Sequence, residues 1–176
     1  MQNFIEEIFT TPEIWSNTIE LDRNEFLIKA GEKDQKVYFV EKGALRVFYL
    51  SEFEEITIRF GYKKNFITSL PSFFNNEASL FYIQAIRKTI LKTIDKKVFV
   101  DFIEKTPARK EQYRLFIEEL VSQQIEREID ILTYSPIERL KRVQERSPQL
   151  FQEIPGKYIA SYLRMTPETL SRIHKS

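Results

Sequence analysis

Two side chains in the stretch "TPETLSRI" have the chemistry to read a nucleic acid. Glu168 and Arg172 stand four residues apart, so on a helix they project from one face. A carboxylate there can accept a hydrogen bond from cytosine N4, and a guanidinium can donate two parallel bonds to guanine. The same spacing also suits an ion pair on a solvated helix, worth about a few tenths of a kcal/mol.

Other chemistries have little to work with. The chain has no cysteine and a single histidine, His174. That removes disulfides, thiolate nucleophiles, iron–sulfur sensing, most zinc sites and His-centred acid–base catalysis. Haem would need the same missing ligands, and His174 is expected to touch a phosphate or face solvent. Glu54 and Glu55 are adjacent in a strand, point to opposite faces and cannot share a substrate. The reading is therefore not an enzyme, with no metal and no cofactor.

The 176 residues suffice for one good core, or one medium domain and an appendage. No run approaches the roughly 18 apolar residues of a membrane helix. The opening "MQNFIEEIFTTPEIW" is acidic where a signal peptide is basic and then apolar. A cytoplasmic protein with no membrane partner is expected. Net charge is +1, but residues 134–176 hold eight Lys or Arg against four acids and carry +4, leaving −3 for the rest. A basic end on an acidic body is what a phosphate-approaching module shows, although an uneven surface would show it too.

The elements that must position Glu168 and Arg172 follow from periodicity. Between Glu20 and Ile94 the pattern has period 2 and is rich in aromatic and β-branched residues: "NEFLIKAGE", "KVYFVEKGALRVFYL", "EEITIRFGY", "FYIQAI" and "KTILKTI" read as strands, with Gly31, Gly43 and Gly61 at turns. Short strands at regular spacing imply a sandwich or barrel. "KKVFVDFIEKTP" reads as a helix stopped before Pro107.

A long helix then runs from about Ala108 to Thr133. Ile117, Val121, Ile125, Ile129 and Leu132 form one apolar stripe on it. Phe116, Leu120 and Ile131 form a second, interrupted by Gln124 and Arg127. Two stripes can serve two partners, the sheet and a second subunit, or both can be buried within one chain. "SPIERLKRVQERSPQLF" opens a new helix with Ser135 as N-cap, Pro136 in first position and Glu138 completing a capping box.

In "PGKYIASYLRMTPETLSRI", Pro155 opens a helix with Ile159, Ala160 and Leu163 inward. Thr166 caps a second that starts at Pro167, with Leu170 and Ile173 inward. Two helices about three residues apart, with a small residue where they cross, make a helix-turn-helix.

Nearly the whole chain, from about residue 20 to 175, resembles the Crp/Fnr superfamily of bacterial transcription regulators, in the subgroup lacking a recognisable nucleotide site. "FLIKAGEKDQKVYFVEKGALRVFY" is similar to the family's cyclic-nucleotide-binding-type β-roll, with Gly31 and Gly43 as its paired glycines. "FITSLPSFFNNEASLFYIQAI" resembles the segment that holds the phosphate in nucleotide-binding members. "IASYLRMTPETLSRI" is similar to the recognition motif of the subgroup.

The resemblance implies an α+β fold in three parts. These are a jelly-roll-like double-stranded β-roll sensor over residues 1–106, a dimerisation helix over 107–133 and a helix-turn-helix domain over 134–176. It implies a homodimer joined through Phe116, Ile117, Leu120, Val121, Gln124 and Ile125, binding double-stranded DNA, with RNA polymerase as a further partner. Glu168, Thr169 and Arg172 would read bases, while Lys157, Tyr158, Arg164, Ser171 and Lys175 would position on phosphate.

Three departures carry expectations of their own. The Gly-Glu pair and phosphate-holding Arg of nucleotide-binding relatives are replaced by Thr68 and Ser69, and by Ser79 or Leu80. No basic residue lies between Lys64 and Arg87, so a cyclic phosphate would lack a paired cation. An effector would then be small and apolar, in a pocket of Phe60, Ser69, Leu70, Phe73, Ser79, Phe81 and Tyr82, unless these side chains fill the core themselves. Arg164 takes the place of the usual turn glycine, at a cost of about 1 kcal/mol if the turn keeps positive φ. Phe151 to Pro155 leaves little room for a β-hairpin wing. With Ser176 close behind, the last turn is expected to fray, which bears on Lys175 more than on Glu168.

Overall fold

The computed structural model describes residues 2–174. Eight strands form two antiparallel sheets. β1 (Asn17–Leu21), β8 (Thr89–Asp95), β3 (Lys36–Lys42) and β6 (Phe66–Ile67) make one, in that order. β2 (Phe26–Ile28), β7 (Tyr82–Ala85), β4 (Ala44–Leu50) and β5 (Glu55–Tyr62) make the other. Their inner faces meet through Leu21, Ile28, Tyr38, Val40, Leu45, Val47, Ile67, Ile83 and Leu91. This is the expected α+β architecture with a β-roll.

Gly43 joins β3 to β4 at φ 96°, and a Cβ there would sit 2.4 Å from Thr89 Oγ1 and 2.5 Å from the Lys88 carbonyl. Conformation and space both exclude a side chain. Gly61, expected to end its strand at a turn, lies inside β5; it admits the Ile67 side chain, which a Cβ would meet at 2.3 Å.

Helices cover one end of the roll. α1 (Gln2–Phe9), α3 (Lys96–Glu104) and α4 (Pro107–Leu132) share a core with Val37, Phe73 and Ile94; α2 (Leu70–Asn75) contributes Phe73. The α1 helix is absent from the sequence reading. Phe4 and Ile8 are nonetheless fully buried, Phe4 packs on Tyr113 and Phe116 of α4, and Glu7 pairs with Arg109 at 2.7 Å.

The two stripes of α4 separate as their spacing predicts, with one shift of membership. Phe116 is buried against the body, and Ile117 and Leu120 pack there too. Phe116, Ile117 and Leu120, placed among the dimer residues, thus serve the chain's own core, where α1 and β6 supply Phe116 with the aromatic partners Phe4 and Phe66. Val121, Ile125, Ile129 and Leu132 are 55%, 52%, 41% and 82% exposed. Among the described residues, nothing in the chain covers them.

The C-terminal unit comprises α5 (Pro136–Arg146), α6 (Leu150–Glu153), α7 (Gly156–Tyr162) and α8 (Pro167–His174). The Ser135 hydroxyl accepts from Glu138 N–H at 3.4 Å, the first arm of the capping box. A single helical turn, α6, stands where a wing would be. Leu140, Val143, Leu150, Ile154, Ile159, Leu163 and Leu170 form the core of the unit, which continues into the roll through Ala44, Phe60 and Ile86.

Candidate nucleic-acid interface

The crossing of α7 and α8 rests on Ala160, which is fully buried with Ile159, Leu163 and Leu170 around it. Between them the chain turns through a Schellman motif: Met165 N–H donates to the Ala160 carbonyl at 3.0 Å and Arg164 N–H to the Ser161 carbonyl at 3.1 Å. This closure needs a left-handed residue after the helix, and Arg164 supplies it at φ 55°. The turn therefore keeps the glycine conformation without the glycine.

Thr166 caps α8, its hydroxyl accepting from Thr169 N–H at 3.2 Å. Beside that cap, hydrogen bonds from its own backbone N–H and from Thr166 hold the Glu168 carboxyl below the usual carboxylate range. Glu168, Ser171 and Arg172 lie together on the solvent face of α8, flanking an open shallow depression with Pro167. A major groove admits a helix presented this way.

The expected interface residues do not all behave alike. Thr169 is half-buried, with its hydroxyl 3.2 Å from that of Thr166. Lys157 is exposed, its ammonium 4.6 Å over the Tyr158 ring. Tyr158 itself is 8% exposed, packed in the core under Arg46 and Lys157. Its ring closes the core, so a phosphate contact by Tyr158 is withdrawn. Arg164 is held by Glu54 at 3.0 Å, and His174 stacks on Phe151. Lys175 lies outside the described residues.

Sequence reasoning missed how the unit is attached. β5 is an edge strand, and opposite β4 its pairing slips between Val47 and Phe48. Thr57, opposite Phe48 on this edge, has outward backbone groups to satisfy. Its N–H donates to Ser161 Oγ of α7 at 3.1 Å, its carbonyl accepts from Arg127 Nη2 of α4 at 3.0 Å, and Ser161 Oγ donates to the Glu55 carbonyl at 3.0 Å. Roll, long helix and C-terminal unit thus meet at one residue. Asp130, 2% exposed on α4, accepts from Arg142 at 3.0 Å and pairs with Arg146, both of α5. Arg87 of the roll pairs with Glu153. The one local hint was Arg127 interrupting an apolar stripe.

Five of the seven residues expected around an effector line one cavity. A cavity of about 150 Å³ lies between the roll and α4, walled by Ser69, Leu70, Phe73, Ser79 and Phe81, together with Phe99, Phe116 and Leu120. Phe60 and Tyr82 are elsewhere. Phe60 packs against Tyr162 in the C-terminal core, and Tyr82 stacks on Phe48 outside the roll. The hydroxyls at the phosphate-holding positions are spent locally: Ser79 donates to the Phe81 carbonyl at 2.8 Å, and Ser69 lies 3.2 Å from Ser72 Oγ. Among the described residues no cluster of acids or His could hold a metal ion, and no helix is long and apolar enough to cross a membrane.

The sequence profile of the cyclic nucleotide-binding domain matches residues 18–106. The chain belongs to the cyclic nucleotide-binding domain family. No curated protein is detectably similar in sequence, but solved structures share the architecture of this family member over nearly its full length. FixK2 from Bradyrhizobium japonicum is 15% identical with a TM-score of 0.75, the match covering 90% of this chain and 82% of that one. A CooA mutant from Carboxydothermus hydrogenoformans is 15% identical with a TM-score of 0.70, covering 93% and 76%. A transcriptional regulator of the CRP/FNR family from Thermus thermophilus is 12% identical with a TM-score of 0.65, covering 89% and 83%. The fold is that of Crp/Fnr-type regulators, C-terminal helices included.

Proposed function

We propose that the protein is a sequence-specific DNA-binding transcription regulator that acts in the cytoplasm as a homodimer. The observation that carries the reading is the solvent face of α8. Glu168 and Arg172 stand together on a capped helix, seated on α7 by a buried alanine, at the basic end of a Crp/Fnr-type fold. Glu168, Thr169 and Arg172 read bases; Lys157, Arg164, Ser171 and Lys175 position on phosphate.

The uncovered stripe of Val121, Ile125, Ile129 and Leu132 supports pairing of two copies along α4. Two α8 helices then reach successive major grooves, roughly 34 Å apart. A domain organisation of 1–106, 107–133 and 134–176 follows, with α4 as the joint.

The effector is not a cyclic nucleotide on this reading, since the segment from 65 to 86 that would hold its phosphate has no basic residue, and Arg59 of β5 is the one guanidinium lining the cavity among the described residues. A cavity of about 150 Å³ suits a benzene-sized apolar molecule. By occupying the space between roll and α4, such a molecule biases two placements of the recognition helices.

The test is selection of bound sequences from a random duplex pool. A palindrome with half-site centres about 10 base pairs apart is expected; a pool that stays random contradicts the reading. The alternative is an interaction module whose helix-turn-helix no longer reads sequence. It would bind duplexes indifferently or not at all.

A further inference from the structure

Arg127 has no role in the DNA reading. It is 9% exposed on α4, its plane lies 4.8 Å from the Tyr162 ring, and its buried Nε has no hydrogen-bond partner. Arg59 of β5 is half-buried, and among the described residues no carboxylate pairs with it or with Arg127. Elsewhere in the body arginines meet acids, as Arg46 meets Glu55 and Arg109 meets Glu7. Desolvation pushes both the Arg59 and Arg127 guanidiniums below their ordinary range. They remain charged, and burial without a counter-charge is unfavourable.

Both line one cavity of about 400 Å³, bounded by β5 of the roll, by α4, and by Val143, Arg146 and Tyr162 of the C-terminal unit. Lys64 and Arg146 add positive charge to its walls, and Glu119 and Glu126 are its acids. Glu126 is engaged by Arg142 at 2.8 Å and by Arg146 at 3.6 Å, and Arg146 by Asp130, so Glu126 and Arg146 are compensated while Lys64 and Glu119 offset each other in sign. Arg59 and Arg127, which no carboxylate meets at ion-pair distance among the described residues, stand beside the rings of Tyr62 and Tyr162, with Asp130 and Glu128 acting on Arg127 only from farther off.

We propose that this junction cavity binds a small organic anion, a carboxylate or phosphate on an aromatic body, with its oxyanion held by Arg59 and Arg127. Charge-assisted bonds to two guanidiniums supply orientation, and the rings receive the apolar part. The site adjoins the apolar cavity and shares with it the walls of Ile58, Arg59, Phe66, Phe116, Leu120 and Gln124. Its walls come from all three parts of the chain, so an occupant sets how the C-terminal unit sits on the roll.

The proposal does not depend on DNA reading, and its test needs no DNA. Phenyl phosphate and benzoate are titrated into the full chain by calorimetry at constant ionic strength, with chloride as reference. At least one is expected to saturate at one site per chain, and which one does assigns the oxyanion. Arg59→Gln and Arg127→Gln should each weaken it at least about tenfold, the loss of a charge-assisted bond. Arg59→Gln, at the more accessible position, keeps the test alive if Arg127→Gln fails to fold. Saturation that Arg59→Gln leaves unchanged overturns the proposal. So does a lack of saturation by either probe, as when a carboxylate of a second copy fills the cavity.

Discussion

The roll and the C-terminal unit treat charge in opposite ways. Where relatives hold a phosphate inside the roll, this chain has Ser69 and Ser79, their hydroxyls turned to neighbours within the segment, and no basic residue from 65 to 86. On α8 the polar groups face water on a capped helix, with Glu168 and Arg172 side by side. One chain thus carries a segment without cationic side chains and a helix that presents a carboxylate and a guanidinium to solvent. Both regions keep the fold of Crp/Fnr-type regulators; function follows the side chains.

If the C-terminal unit works only as one of a pair, Ile125→Asp breaks the account most. Ile125 is 52% exposed, so the single chain should keep its own core, and only the stabilisation contributed by pairing should be lost. Sedimentation should show the mass halved, and duplex affinity should fall about 10²–10⁴-fold as the second half-site is lost. An unchanged mass would place the dimer, and so the purpose of the uncovered stripe, elsewhere.

Asp130→Ala tests whether the two regions are coupled. It removes the acid shared by Arg142 and Arg146. Both arginines can turn to water, so the loss in a urea melt should be about 2 kcal/mol, below the cost of a fully buried pair. Thr166→Ala takes the cap from α8 and should cost about 1 kcal/mol. It should also raise the Glu168 pKa part of the way toward the ordinary range, the bond from its own backbone N–H remaining, visible in an NMR titration. The sign follows from the lowered folded value: the cap's contribution is present above the unfolded carboxylate pKa and is lost as pH falls through the folded one.

Arg164→Gly is the smallest effect and has the opposite sign. Relief of φ 55° is worth about 1 kcal/mol, and the exposed pair with Glu54 returns only about a few tenths. A net gain of about 0.5 kcal/mol is expected in the same melt, together with weaker duplex binding from the lost phosphate contact. A destabilised glycine variant would mean that the Glu54 pair, not the turn, governs this site.

Local pattern made much of this legible. Period 2 found β3, β4, β5, β7 and β8; Ser135 before Pro136 marked the start of α5; and Ala160 with Leu163 and Leu170 marked the crossing. Long-range pairing was not legible. Ser161 reaches Thr57 across 104 residues and Arg127 reaches it across 70, and neither partner is implied by neighbours in sequence. Tyr158 illustrates a different limit. An amphipathic ring suits a phosphate or a core equally, and only the approach of Arg46 from the roll decides it. Phe60 alternated correctly in β5, yet period 2 names a face and not the core that lies behind it.

The central claim is that α8 reads bases through Arg172. The most direct measurement is fluorescence anisotropy of wild type and Arg172→Ala on the selected palindrome and on a scrambled duplex of equal length, at one fixed salt concentration. The account predicts that the variant loses about 1–3 kcal/mol of preference for the palindrome while scrambled binding changes little. Equal loss on both duplexes would make Arg172 a phosphate contact and contradict the base-reading role. No loss on either would remove α8 from recognition.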